Sequence, residues 1–178
     1  MAAVCVFCGS RAGSDPSHMA AATAMGAAIA RAGHELVYGA GNVGLMGAVA
    51  DAALAAGGRV VGVIPRLLVD QEVCHRGLSE LLVVDDMHTR KRLMCERSDA
   101  FAVLPGGIGT IDELSEVMCW NQLGIHAKRV GFLDVSGYWT PFLAFLHGMA
   151  ASGFIPAAEV ADLVVHRDPD KLLSGLVI

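Results

Sequence analysis

Ala100-Phe101-Ala102-Val103-Leu104-Pro105-Gly106-Gly107-Ile108-Gly109-Thr110-Ile111-Asp112-Glu113 decides how this chain is read. The first five residues form an uninterrupted apolar run, as a parallel strand buried on both faces requires. A helical pattern extends from Ile111 to Leu123, so the intervening glycines make a strand-to-helix turn. Glycine tolerates positive φ and leaves the backbone bare, which lets a ligand approach. The free N–H groups and positive dipole end of the next helix face the same space, and both suit a phosphate. Asp112 and Glu113 are expected in the first turn of that helix. Acids beside an anion cradle point to chemistry on a phosphorylated sugar rather than to nucleotide storage.

On either side of this stretch, strand-like and helix-like segments alternate along the whole chain. Ala3–Phe7 precedes an alanine-rich helix near Pro16–Arg31, and alanine favours both helix formation and close packing. Glu35–Tyr38 leads through glycines to a helix near Val43–Ala56, and Arg59–Ile64 is a third strand ended by Pro65. An irregular connection, Arg66–Ser79, comes before a strand at Glu80–Val84 and a helix near Met87–Arg97. Beyond the glycine turn lie Val130–Leu133, a helix from about Tyr138 to Ala151, Leu163–Val165 and a short final helix. This alternation predicts an α/β fold: a Rossmann-like, doubly wound parallel sheet in three α/β/α layers, one domain over 1–178. Each glycine-rich turn follows a strand, so the turns converge on one sheet edge, where such folds bind ligands.

The 178 residues are 54% hydrophobic and 17% charged, enough for one substantial core. A net charge of −5 does not favour nucleic acid. An anionic ligand therefore needs a local basic cluster, and Arg90, Lys91, Arg92 and Arg97 supply one. No apolar run approaches the ~20 residues of a membrane span. The N-terminus reads as a strand and not as a signal peptide, so a cytoplasmic location is expected. The five cysteines have no framework spacing and suit reduced thiols. Cys5 and Cys8 form CxxC, but residues three apart on a strand point to opposite faces, which argues against metal or redox pairing.

Gly39-Ala40-Gly41-Asn42-Val43-Gly44 has the GxGxxG form. A dinucleotide reader places an acid for the ribose hydroxyls about 20 residues onward. That region reads Val63-Ile64-Pro65-Arg66, and the motif follows the second strand rather than the first. Its glycines read instead as helix–strand packing and, at Gly41, as part of a mononucleotide site shared with the later turn. Ser10, in Gly9-Ser10-Arg11 on the same edge, offers a hydroxyl to phosphate or sugar. Equally, that loop prepares a helix cap near Ser14 or Asp15.

Met87-His88-Thr89-Arg90-Lys91 opens a helix that Asp85-Asp86 can cap. Basic side chains in a first turn oppose the helix dipole, and a broken local rule signals a use elsewhere. Arg90 and Lys91 are read as functional, Arg92 and Arg97 as a solvated face. Glu113, Glu116 and Trp120 share one helical face, offering acids and a ring to a sugar and a base. Trp120 taken alone reads as core and Glu116 as surface.

Together these residues resemble the LOG family of cytokinin riboside 5′-monophosphate phosphoribohydrolases, long mislabelled as lysine decarboxylases. Its PGGxGTxxE hallmark is complete from Pro105 to Glu113 and its MHxRK motif from Met87 to Lys91. Cys8-Gly9-Ser10, Val43-Gly44-Leu45-Met46-Gly47 and Trp120-Asn121-Gln122-Leu123-Gly124-Ile125-His126 are similar too. The resemblance implies a catalytic pair, Arg90 and Glu113. It implies nucleotide binding by Gly106, Gly107, Ile108, Gly109, Thr110, Ile111, Asp112, Lys91 and Glu72, with Cys119 near the base or ribose. It also implies a homodimer with sites near the interface. Three departures bear on specificity: Ala40 within the usual GGG run, Asp112 where Glu is common, and Cys119 where Thr is common.

The reaction implied is hydrolysis of the N-glycosidic bond of an adenosine 5′-monophosphate, giving an adenine-type base and ribose 5-phosphate. Glu113 would offset an oxocarbenium-like sugar and align water. Arg90, too strong a base for an ordinary general acid, would orient ribose, phosphate or Glu113. No cofactor and no metal is expected. Of the three lysines, Lys91 lies in the basic motif, while Lys128 and Lys171 lie outside the glycine turns. That placement disfavours a Schiff-base decarboxylase. The rival reading is a non-catalytic carrier of a nucleotide or of the molybdenum cofactor, which would need neither Arg90 nor Glu113.

Overall fold

A computed structural model describes residues 1–69 and 74–177. The described chain alternates β1 (Ala3–Phe7), α1 (Pro16–Arg31), β2 (Glu35–Tyr38), α2 (Gly44–Ala55), β3 (Val60–Pro65), β4 (Glu80–Val84), α3 (Met87–Glu96) and β5 (Ala100–Val103). It continues through α4 (Ile108–Gln122), β6 (Arg129–Leu133), α5 (Thr140–Ala151), α6 (Ala157–Ala161), β7 (Val164–His166) and α7 (Pro169–Leu176). The seven strands form one sheet in the order β4-β3-β2-β1-β5-β6-β7, every pair parallel. The predicted Rossmann-like α/β sheet is therefore present, with its helices in layers on both faces.

The apolar runs of the central strands reflect that two-sided burial. Val4, Val6, Leu36, Tyr38, Ala100 and Ala102 pack beneath α1, α2 and α7. Alternate residues Cys5, Phe7, Val37, Phe101 and Val103 pack beneath α3, α4 and α5. Cys5 and Cys8 accordingly belong to opposite cores. Burial, followed by the Glu113 charge, pushes both thiols up and keeps them protonated. No helix among the described residues is long and apolar enough to cross a bilayer.

After β4 the chain returns to the middle of the sheet, so β5 lies beside β1. The loops after β1 and β5 then leave in opposite directions and open a crevice at the carboxyl edge. Gly9 N–H donates to Pro105 O (3.0 Å), and Leu104 N–H to Phe7 O (2.9 Å), so the two loops are tied together at its floor.

One segment boundary differs from the expectation, and one helix was not expected. α4 begins at Ile108, three residues before the apolar pattern does, because the glycine turn merges into the helix without a side-chain cap. Glu113 is thus the sixth helical residue and stands beyond the first turn, where the dipole acts most strongly. The short helix α6 was not legible in the sequence at all.

Candidate active site

A cavity of about 530 Å³ occupies the crevice between β1 and β5. Its walls include Ser10 from the first loop, Gly106 through Thr110, Asp112 and Glu113 from the glycine turn and α4, and Arg90 from α3. Three remote segments therefore meet, as the sequence reading required.

The anion cradle follows from how the helices are capped. Asp15, Asp86 and Asp168 accept backbone N–H groups at the starts of α1, α3 and α7. At α2, Leu45 N–H and Met46 N–H donate to Gly9 O (3.0 and 3.3 Å). These N–H groups are occupied, which removes the dinucleotide reading of the GxGxxG segment. α4 has Gly107 at its N-cap and no side-chain cap, and its first backward bond runs from Ile111 N–H to Gly107 O (3.1 Å). The N–H groups of Ile108, Gly109 and Thr110 are left for a ligand in the cavity.

Arg90 is 4% exposed. Its Nε donates to Val63 O (3.1 Å) and its Nη2 to Gly39 O (2.6 Å), at the ends of β3 and β2. The cap that starts α3 is the predicted one: Asp86 accepts from Thr89 N–H (2.7 Å). That bond, the largest influence, holds the Asp86 carboxyl below its usual range. The basic side chain that opposes the α3 dipole thus turns inward and sits on main-chain oxygens. Arg92 and Arg97 keep to the surface, bonded to Glu96 (3.0 Å) and Glu80 (3.2 Å).

Lys91 takes a different course. Its Nζ lies 3.1 Å from Asp112 Oδ2 and 3.2 Å from Glu116 Oε2, clamping α3 to α4 outside the cavity lining. Burial disfavours the Lys91 charge, but the bonds to Asp112 and Glu116 outweigh it and hold the ammonium above its ordinary pKa. Asp112 both lines the cavity and holds this clamp. Glu116 and Trp120 do not join Glu113 at the cavity: Glu116 pairs with Lys91, and Trp120 packs against the core beneath α4. Ile111 faces that core as well, and Cys119 is exposed farther along the helix.

Gly41 is not part of the cavity lining; it is bridged to Cys74, and its carbonyl accepts from Tyr38 Oη (3.2 Å). Ala40, the departure from the usual GGG run, is not part of the cavity lining. It is fully buried against Ile64 and Cys74, on a backbone with φ of 61° that costs roughly 1–2 kcal/mol for a non-glycine residue. Glu72 falls within 70–73, outside the described residues.

Arg11, His18 and Tyr138 also line the cavity and were not singled out from the sequence. Tyr138 arrives on the loop after β6, and its hydroxyl donates to Gly106 O (2.5 Å). His18 lies edge-on to its ring, with centroids 5.3 Å apart. The available signal was positional: like the recognised loops, the loop carrying Tyr138 follows a strand on the same sheet edge.

A family model described as "Possible lysine decarboxylase" matches residues 46–176. A probable cytokinin riboside 5′-monophosphate phosphoribohydrolase of Oryza sativa subsp. japonica is 50% identical over 97% of this chain and 76% of its own length. A cytokinin riboside 5′-monophosphate phosphoribohydrolase of Rhodococcoides fascians is 45% identical over 97% of this chain and 88% of its own. Among solved structures, the molybdenum cofactor carrier protein of Chlamydomonas reinhardtii superposes with a TM-score of 0.72 over 97% of this chain and 94% of its own. At 19% identity that likeness speaks for the fold alone. Motifs, cavity and relatives agree, and the chain belongs to the LOG family.

Proposed function

We propose that this protein hydrolyses the N-glycosidic bond of adenosine 5′-monophosphates, N6-modified ones included, to a free adenine-type base and ribose 5-phosphate. The observation that carries the reading is the meeting of Glu113, buried Arg90 and the uncapped start of α4 in one cavity. Relatives that are 43–50% identical bear the name of this activity. The 5′-phosphate accepts from the N–H groups of Ile108, Gly109 and Thr110, with Gly106, Gly107 and Ser10 around it. The C1′–N9 bond breaks as positive charge builds on the sugar, and Glu113 offsets that charge and aligns the water that adds to C1′. Arg90, rigid on its carbonyl supports, orients the ribose and Glu113. The departing base gains a proton and the sugar a hydroxyl.

Lys91 and Ile111 support this geometry from α3 and α4, Asp112 does so while lining the cavity, Cys119 serves near the base or ribose, and the working unit is a cytoplasmic homodimer. Among the described lining residues there is no lysine, so a Schiff-base decarboxylase lacks its nucleophile. The test is incubation with AMP and with isopentenyladenosine 5′-monophosphate, with products resolved chromatographically. The expected result is free base plus ribose 5-phosphate, abolished in Glu113→Ala. Intact nucleotide despite measurable binding would reject hydrolysis and favour a carrier.

A further inference from the structure

The glycine turn has one degree of freedom that its own residues do not restrain. Pro105 O accepts from Gly9 N–H (3.0 Å), which fixes the start of the turn. Gly106 is closely enclosed, since a Cβ there would lie 2.1 Å from Thr110 Oγ1 and 2.9 Å from Gly9 N. The next peptide, between Gly106 and Gly107, joins two residues without side chains, so little steric resistance opposes its rotation. Its C=O and N–H point in opposite directions because the bond is planar and trans. A rotation there would therefore exchange a donor for an acceptor at the edge of an anion site.

Tyr138 restrains that rotation from outside the turn. Its hydroxyl donates to Gly106 O at 2.5 Å, so the acceptor end of the peptide is engaged and the donor end is the one left for a ligand. The arm that delivers Tyr138 is itself fixed. Tyr138 N–H donates to Val135 O (3.0 Å). Buried Asp134 accepts from Trp139 N–H (2.7 Å) and Thr140 Oγ1 (3.0 Å). The Tyr138 ring meets the rings of His18 and Trp139 edge-on, at 5.3 and 5.1 Å.

We infer that Tyr138 is a positioning residue of the phosphate cradle, holding the Gly106–Gly107 peptide in its anion-accepting orientation. The inference rests on the proposed reading of the cavity as a nucleoside monophosphate site. It predicts that Tyr138→Phe, which keeps the ring and loses the hydroxyl, weakens phosphate-bearing ligands selectively.

The experiment is calorimetric titration of the full chain with ribose 5-phosphate and, in parallel, with adenosine, which lacks the phosphate. Thermal unfolding of wild type and variant is measured alongside. Ribose 5-phosphate affinity is expected to fall roughly tenfold, equivalent to about 1.4 kcal/mol, with adenosine affinity and the unfolding midpoint unchanged. Unchanged ribose 5-phosphate affinity overturns the positioning role while leaving the hydrolase reading intact. Equal losses for both ligands with a lowered midpoint overturn it as well, because they report general loosening. A wild-type protein that binds no ribose 5-phosphate removes the site reading itself, and the inference with it.

Discussion

Arg90 is 4% exposed, and a charge so placed is tolerable only where its N–H groups are engaged. The carbonyls of Val63 and Gly39 do part of this, and the second contact explains a glycine that the sequence left as packing. A Cβ at Gly39 would stand 2.2 Å from Arg90 Nη2 and 2.8 Å from Met46 Cε. Gly39→Ala therefore displaces the guanidinium while leaving Arg90 in the chain. A fall of about 10²-fold in kcat/KM is expected, the usual scale for a misplacement near 1 Å, with the circular dichroism spectrum retained. Activity within twofold of wild type would show that the placement of Arg90 is immaterial. The charge at Arg90 was legible because it breaks a helix rule, but its seat was not, since the partners lie 27 and 51 residues away. His126 gives a residue-scale prediction in pH. Burial first, then the Lys128 charge, holds its pKa below the ordinary value, so the unfolded chain binds more protons in that interval. Its stabilising contribution is fully present above about pH 6.5, the unfolded value, and is lost as pH falls through the lower folded value. Urea midpoints at pH 7.5 and 5.5 should diverge in wild type and less so in His126→Asn; equal divergence would assign the loss elsewhere.

Among the elements, α3 and α4 are set relative to each other by Lys91, whose ammonium bridges Asp112 and Glu116 one turn apart on α4. Without it those carboxylates repel at i, i+4, and the helix that opens on the cavity loses a tie to the helix that carries Arg90. Lys91→Met should lower stability by about 1 kcal/mol, roughly 2–4 °C in Tm for a chain of this size, and should reduce activity with it. A raised KM at unchanged Tm would instead mean that Lys91 touches substrate directly. The strands were readable as elements because two-sided burial writes itself as apolar runs, Ala100–Val103 above all. The start of α4 was not. Ile108-Gly109-Thr110 carries turn-like composition, and Gly107 gives none of the side-chain signal with which Asp86 announces α3. That missing cap is the feature that opens the helix to a ligand, so the least legible boundary coincides with the proposed cradle.

For the whole molecule, alternation of strands and helices predicts a parallel sheet but leaves the strand order open, because the order depends on where the chain turns back. The return from β4 to a place beside β1 creates the crevice, and only the fold reveals it. The outer surface poses a related question. Leu123 (69% exposed) and Ile125 (64%), at and just past the end of α4, and Phe145 (64%) and Phe154 (77%), on and beyond α5, belong to the layer that covers one sheet face. Large apolar side chains so exposed mark an interaction surface when they fall together, and a second copy of the chain is the partner that the proposed homodimer supplies. Sedimentation equilibrium should then give twice 18.5 kDa, and the pair Leu123→Asp and Phe145→Asp should give the single mass with the helical spectrum unchanged. Ile108, 82% exposed, stands at the cavity end of α4, opposite the end that Leu123 closes. If the partner covers Ile108 as well, the monomeric variant loses activity along with its second subunit. A fully active monomer would separate the proposed dimer contact from the site, and a wild type at 18.5 kDa would leave these side chains to another partner.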